Sequence, residues 1–138
     1  MATVTGEGID LATLEAAGER LGRELPPKSV VWLEGPLGAG KTTLVRAIVR
    51  GRGAAGAVTS PTFGLVHHYT APMRDIYHID CYRMRQHEDA ADLDWETLVN
   101  ADLLLIEWPD RAGPWAPAPT CRVRLAHAGD DLRTMLLS

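Results

Sequence analysis

The sequence predicts an α/β fold with a mainly parallel central sheet and added antiparallel hairpins, and three observations carry that prediction. The first is a short apolar run, Val30-Val31-Trp32-Leu33, that leads into a glycine-rich stretch and then an amphipathic helical pattern. The second is another continuous apolar run, Leu103-Leu104-Leu105-Ile106, closing on the acid Glu107. Runs of this kind suit strands buried on both faces, as in a parallel sheet. The third is a pair of regions, 65–80 and 121–137, where apolar and polar residues alternate on either side of turn residues, as hairpins do.

Residues 1–9 show no strong period and suit a short strand or a tail. From Asp10 the pattern becomes helical. Leu11, Leu14, Ala17, Leu21 and Leu25 step by three or four residues and form one apolar stripe. Asp10 is placed to cap the helix and Pro26-Pro27 to stop it. Gly18 and Gly22 weaken such a helix unless close packing, against the sheet for example, requires them. The apolar run from Val30 reads as the next strand.

The stretch Gly35-Pro36-Leu37-Gly38-Ala39-Gly40-Lys41-Thr42 then fits G-x-x-x-x-G-K-[ST], the phosphate-binding P-loop. Each fixed position has a mechanical reason. Gly35, Gly38 and Gly40 let the backbone turn tightly and aim N–H groups at phosphate oxygens. Lys41 reaches phosphates as a point charge, and the Thr42 hydroxyl suits Mg²⁺. The following helix adds its N-terminal dipole to the anion site. Leu44, Val45, Ile48 and Val49 recur at helical spacing, with Arg46 and Arg50 on the other side and Gly51 as a stop. Strand, loop and helix in this order make the fold class a single-domain P-loop NTPase over residues 1–138.

Gly51 to Gly56 reads as a flexible connection. Pro61 makes Val58-Thr59-Ser60-Pro61-Thr62-Phe63 a defined loop, whose hydroxyls either face phosphate or satisfy the turn. Leu65–Tyr69 and Asp75–Asp80 form a hairpin joined by about five residues. Alternation puts Ile76, His78 and Asp80 on one face and Tyr77, Ile79 and Cys81 on the other. Asp80 is a candidate for orienting water or an outer-shell metal ligand; His78 is either its neighbour in that work or a satisfied bystander. Tyr82 to Glu96 is acidic, suits one or two short helices, and reads most simply as a solvated face. Glu107, at the carboxyl end of a buried strand, suits a Mg²⁺-organising or water-polarising role. A Pro-rich connection and a terminal hairpin with a turn at Gly129-Asp130-Asp131 follow.

The bulk properties narrow the function. A length of 138 residues can bury one sizeable core, and hydrophobic and charged contents of 46% and 23% are ordinary for a globular chain. A net charge of −4 gives no footprint for autonomous nucleic-acid binding. Only Lys28 and Lys41 are lysines. No run is long enough to span a bilayer and no leader pattern appears, so a cytoplasmic location is expected. Cys81 and Cys121 read as two free thiols before a single bridge.

Taken together, GPLGAGKTT, VTSPTFGLVHHY, HIDCYR and LLLIEWP resemble the bacterial TsaE (YjeE) family, from about Leu11 to Arg133. The resemblance implies a small ATPase acting with TsaB and TsaD in making threonylcarbamoyladenosine in tRNAs that read ANN codons. In that scheme ATP hydrolysis resets the complex between turnovers, and tRNA is met only through the partners. Carried onto matching positions, it implies that Gly38, Ala39, Gly40, Lys41, Thr42 and Thr43 hold the phosphates of ATP. Thr42 and Glu107 bind Mg²⁺, Thr62 senses the γ-phosphate, and Asp80 positions water or metal. Arg133 then lies near the nucleotide base. Pro36 and Asp94 depart from the family pattern, where aspartate and glycine respectively are frequent. Two rivals stay open on the residues alone. A nucleotide or small-molecule kinase would use the same loop, though no second basic cluster or lid stands out. A nucleotide sensor would bind ATP without needing to cleave it.

Overall fold

A computed structural model describes residues 4–54 and 66–138, and for Val4, Thr5 and Glu7 only the backbone. The SPTF segment with Ser60 and Thr62 lies outside the described residues. One seven-stranded sheet runs in the order β1-β7-β6-β2-β5-β4-β3. Its strands are β1 (Val4–Ile9), β2 (Ser29–Glu34), β3 (Val66–Ala71), β4 (Arg74–Asp80), β5 (Leu103–Glu107), β6 (Cys121–His127) and β7 (Arg133–Leu137). Pairs β2–β5, β2–β6 and β4–β5 are parallel. Pairs β1–β7, β3–β4 and β6–β7 are antiparallel. The sheet is therefore mixed rather than mainly parallel. The parallel part is confined to the centre, where both faces are covered, and each flank is closed by an antiparallel pair whose short turn needs no crossover.

The centre is apolar because it is buried twice. In β5 every residue is buried; Leu103 and Leu105 enter one cluster, and Leu104 and Ile106 enter the other. The first face is covered by α1 (Leu11–Glu24) and α2 (Lys41–Gly51), and the second by a 3-10 turn at His87–Ala90, α3 (Trp95–Val99) and α4 (Pro109–Ala112). Asp10 caps α1, its carboxylate accepting from the Thr13 N–H at 2.8 Å. The glycines of α1 face α2 and not the sheet. A Cβ on Gly18 would lie 2.6 Å from the Ala47 methyl, and one on Gly22 would overlap the Ile48 carbonyl. The two helix backbones cross in contact, which fixes where α2 begins relative to the sheet.

Several local expectations change. The β3–β4 turn is only Pro72-Met73, since Ala71 pairs with Arg74; Met73 supplies the positive φ, 60°, that a tight turn needs. Gly51 is the last residue of α2, and the left-handed residue that ends the helix is Gly53, with φ 92°. The segment after Gly51 does not begin as a free connection: Arg52 is buried and ion-paired with Asp102 at 2.7 Å. The Pro-rich region after Glu107 opens with α4 and a 3-10 turn at Gly113–Trp115, because proline at a first helical position loses no hydrogen bond. Asp94 caps α3 through the Thr97 N–H at 3.2 Å, which gives the acidic segment a defined path. No helix among the described residues is long and apolar enough to cross a membrane.

Cys81 and Cys121 are both free and buried, on opposite faces of the sheet. Burial foremost, with Asp80, Asp110 and Glu107 adding to it, pushes the Cys81 thiol up to about 12. A raised folded-state pKa supplies stability that is complete below the unfolded value of 9.0 and lost as pH rises through about 12. Neither thiol should therefore be alkylated in the native protein near neutral pH, and both should label in denaturant. Mass spectrometry after iodoacetamide treatment checks this; rapid native labelling of Cys81 would contradict its burial.

Candidate functional site

Three strand ends meet at one edge of the sheet. β2 runs into the glycine loop, β4 ends on Asp80 and β5 ends on Glu107, with Asp80 and Glu107 paired in register. The carboxyl edge of parallel strands is where open α/β sheets place ligands. A pocket of about 320 Å³ lies there, and Gly38, Lys41, Thr42, Asp80, Glu107 and Arg133 are among its lining residues.

The loop is shaped by backbone no other residue adopts easily. Gly35, Gly38 and Gly40 have φ of 150°, 78° and 107°. Gly40 is the decisive one. It is the N-cap of α2, and a Cβ there would sit 2.8 Å from the Leu14 side chain and 3.5 Å from Arg133 Nε. Because glycine has no side chain, α2 starts with no side-chain cap. The first intrahelical bond is Leu44 N–H to the Gly40 carbonyl, at 2.9 Å. The amides of Lys41, Thr42 and Thr43 thus have no acceptor within the helix and point where an anion would bind. Ala39 is buried, and its amide donates to the Pro36 carbonyl at 3.2 Å, so it holds the loop's own turn.

Lys41 is almost fully buried. Its ammonium donates to the Gly35 carbonyl and, at 3.0 Å, to the Pro36 carbonyl, and it stands 4.5 Å from the centre of the Trp108 ring. Burial pulls its pKa down, opposed by Glu107 and Asp80. Thr42 is exposed and Thr43 half-buried; both line the pocket. Asp80 is half-buried and accepts from the Tyr82 N–H at 3.0 Å through one oxygen.

Glu107 is 4% exposed and His78 7%. The Glu107 Oε2 to His78 Nε2 distance is 2.6 Å, which fixes one carboxylate oxygen against the imidazole. His67 stacks on His78 with ring centroids 5.5 Å apart, and burial first, then His78, lowers the His67 pKa. Alternation along β4 puts His78 on the Asp80 face. Its meeting with Glu107 depends on the β4–β5 register, which a single strand's sequence does not encode.

Arg133 completes the arrangement. Its Nε and Nη1 atoms are sealed from solvent and have no hydrogen-bond partner among the described residues. Orphaned guanidinium donors are costly, so atoms left in this state call for an acceptor. Arg133 lies beside Gly40, at the end of the pocket where the loop amides converge. Sequence reasoning gave no role to Trp108, Tyr82 or Arg111. Trp108 has φ 54°, which turns the chain sharply after Glu107 and puts its ring by Lys41. Tyr82 lies 5.2 Å from that ring, and the Arg111 guanidinium 5.1 Å from it. A carboxyl strand end followed by an aromatic residue and proline was the available signal. Thr62, expected at this site, lies outside the described residues.

The arrangement brings donors and two carboxylates into one pocket. Comparisons with known proteins agree with one another. The family model described as "Threonylcarbamoyl adenosine biosynthesis protein TsaE" matches residues 9–135. The Nostoc sp. protein named tRNA threonylcarbamoyladenosine biosynthesis protein TsaE is 36% identical over 120 residues, covering 84% of this chain and 74% of its own. Its Rickettsia conorii namesake is 41% identical over 114 residues, covering 82% and 65%. The crystal structure of Bacillus subtilis YdiB superimposes with a TM-score of 0.79 at 25% identity, over 99% of this chain and 84% of that one. With a family match that takes in both strand-end carboxylates and Arg133, the chain belongs to the TsaE family.

Proposed function

We propose that this protein is a Mg²⁺-dependent ATPase of the P-loop class that serves threonylcarbamoyladenosine formation in tRNAs reading ANN codons, acting with TsaB and TsaD in the cytoplasm. The observation that carries the ATP reading is the convergence of donors on one pocket. Three helix amides without an intrahelical acceptor, the Lys41 ammonium and the Arg133 side chain line it, and such a set suits a polyphosphate.

The two carboxylates in the pocket support the metal. Asp80 and Glu107 would repel a polyphosphate unless a cation came between them. Thr42 and Glu107 would hold Mg²⁺, which when bound neutralises phosphate charge. His78 leaves Glu107 one oxygen free and keeps the carboxylate in one orientation. Asp80, with one oxygen taken by the Tyr82 amide, keeps the other to orient a water. Lys41 changes partners on binding, giving up the Gly35 and Pro36 carbonyls for phosphate oxygens. This exchange makes the ammonium part of the closing step rather than a fixed wall.

A pocket of this kind, with Arg133 as the one arginine lining it among the described residues, should turn over slowly alone. A partner that adds or repositions a cation accelerates such chemistry by about 10³–10⁵-fold. The test is phosphate release from ATP with and without purified TsaB–TsaD, beside tRNA modification by the full set. Transfer of phosphate to a metabolite instead of water would make the protein a kinase. Full modification by a variant that binds but cannot cleave ATP would make it a sensor.

A further inference from the structure

On the far side of Tyr82 from the nucleotide pocket, the segment 82–87 and the start of α4 enclose an open bowl of about 710 Å³. Arg83, Arg85, Arg111 and His87 line it, with Asp110 as the one carboxylate in its wall among the described residues. None of its three arginines is among the five of the chain's twelve that stand in ion pairs among the described residues. Arg20, Arg50, Arg52, Arg122 and Arg124 all stand in ion pairs. Among the described residues, no carboxylate comes within ion-pair distance of Arg83, Arg85 or Arg111.

The bowl is nevertheless built, not frayed. Asp89 accepts from the backbone amides of Arg85 and Gln86 at 2.9 and 3.3 Å. The His87 ring rests on Gly113, where any Cβ would overlap it. Arg111 donates to the Tyr82 carbonyl and lies 4.8 Å from the Tyr82 ring centre. The backbone is fixed while the Arg83 and Arg85 head groups face solvent.

We propose that this bowl is the docking surface for an acidic segment of a partner protein, whose carboxylates pair with Arg83 and Arg85. The guanidinium fork suits carboxylates in two-point contact. The surroundings favour a short acidic stretch over a nucleic-acid backbone. Glu88, Asp89, Asp92 and Asp94 are exposed on the next turns, so a phosphodiester strand leaving the bowl would run into like charge. A peptide carries its charge only where its sequence puts it.

The bowl is also placed to be felt at the nucleotide pocket, since Tyr82 lines both, and Arg111 and Lys41 both rest on Trp108. A carboxylate drawing Arg111 off that stack changes what holds Trp108 beside Lys41. The docking claim stands on charge and shape; only this link to turnover rests on the ATPase reading.

Binding titrations with a fluorescent peptide carrying two adjacent glutamates in a glycine–serine background, and with purified TsaB–TsaD, test it. The R83E/R85E variant should lose about tenfold or more in affinity for both. R23E/R74E, the same charge change at other exposed arginines, should bind like the parent. A fluorescent ATP analogue should bind all three proteins alike, which checks the fold; should the double reversal not fold, R83Q/R85Q carries the same comparison. Unchanged affinity for both probes in the bowl variant overturns the proposal. So does an anticodon stem–loop RNA that displaces the peptide and depends on the same arginines. Arginine-dependent peptide binding by a parent protein that ignores TsaB–TsaD supports the bowl and sinks the assembly reading instead.

Discussion

Lys41→Ala is expected to lower ATP turnover by about 10²–10³-fold while leaving the thermal midpoint nearly unchanged. The two halves of that expectation come from one side chain. On the proposed ATPase reading, the ammonium would act on charge that builds during transfer, where such donors count most. As part of the fold it contributes little. Its bonds to the Gly35 and Pro36 carbonyls are offset by the burial that pulls its pKa down, so removing it relieves a desolvated charge. The measurement is steady-state phosphate release at saturating ATP, with a fluorescent analogue for binding and a melting curve for the fold. A loss of activity matched by a large drop in melting temperature would recast Lys41 as a structural brace. A loss below about tenfold would remove it from the chemistry.

How much of this was legible in the sequence depends on the range of the interaction. The β2–loop–α2 unit was readable because every cause is local: a two-face apolar run, glycines where φ must be positive, then a helical period. Glu107 was readable for the same reason, as the acid closing a buried run. The hairpins β3–β4 and β6–β7 are readable from alternation around turn residues; what the sequence did not give up is pairing beyond them, where the antiparallel β1–β7 pair makes the expected mainly parallel sheet a mixed one. On β4 alone His78 reads two ways, and the β4–β5 register brings it to Glu107. Arg133 entered only through family likeness, which associated it with the base; the fold seats it beside Gly40, where the loop amides gather. The threonine of the SPTF segment, Thr62, stays an expectation.

The Arg52→Ala variant should lose about 3–5 kcal/mol of stability, although the residue lies remote from the pocket. Sequence gave no hint, because Arg52 sits in what looked like a glycine-rich connection. In the fold it is 6% exposed and joins three elements. Its Nε and Nη2 donate to the two Asp102 oxygens at 2.7 and 3.1 Å, just before β5. Its Nη1 donates to the carbonyls of Gly22 and Leu25 at 2.8 and 2.5 Å, which caps the end of α1. Truncation would strand the Asp102 carboxylate, 11% exposed in its side chain, and leave two helix-end carbonyls without a donor. Asp102→Ala is the milder change, since the guanidinium keeps its carbonyl partners. The double variant should cost less than the sum of the two, with a coupling of about 0.5–3 kcal/mol. Urea unfolding of the four proteins measures the cycle. Because Arg52 ties the end of α2 to the sheet, its loss should also loosen the helix whose first turn forms the proposed anion site. Weaker binding of the ATP analogue by Arg52→Ala, under conditions where the variant is still folded, is the sign that the far end of α2 helps hold the loop in place. Unchanged binding would confine the role of Arg52 to stability.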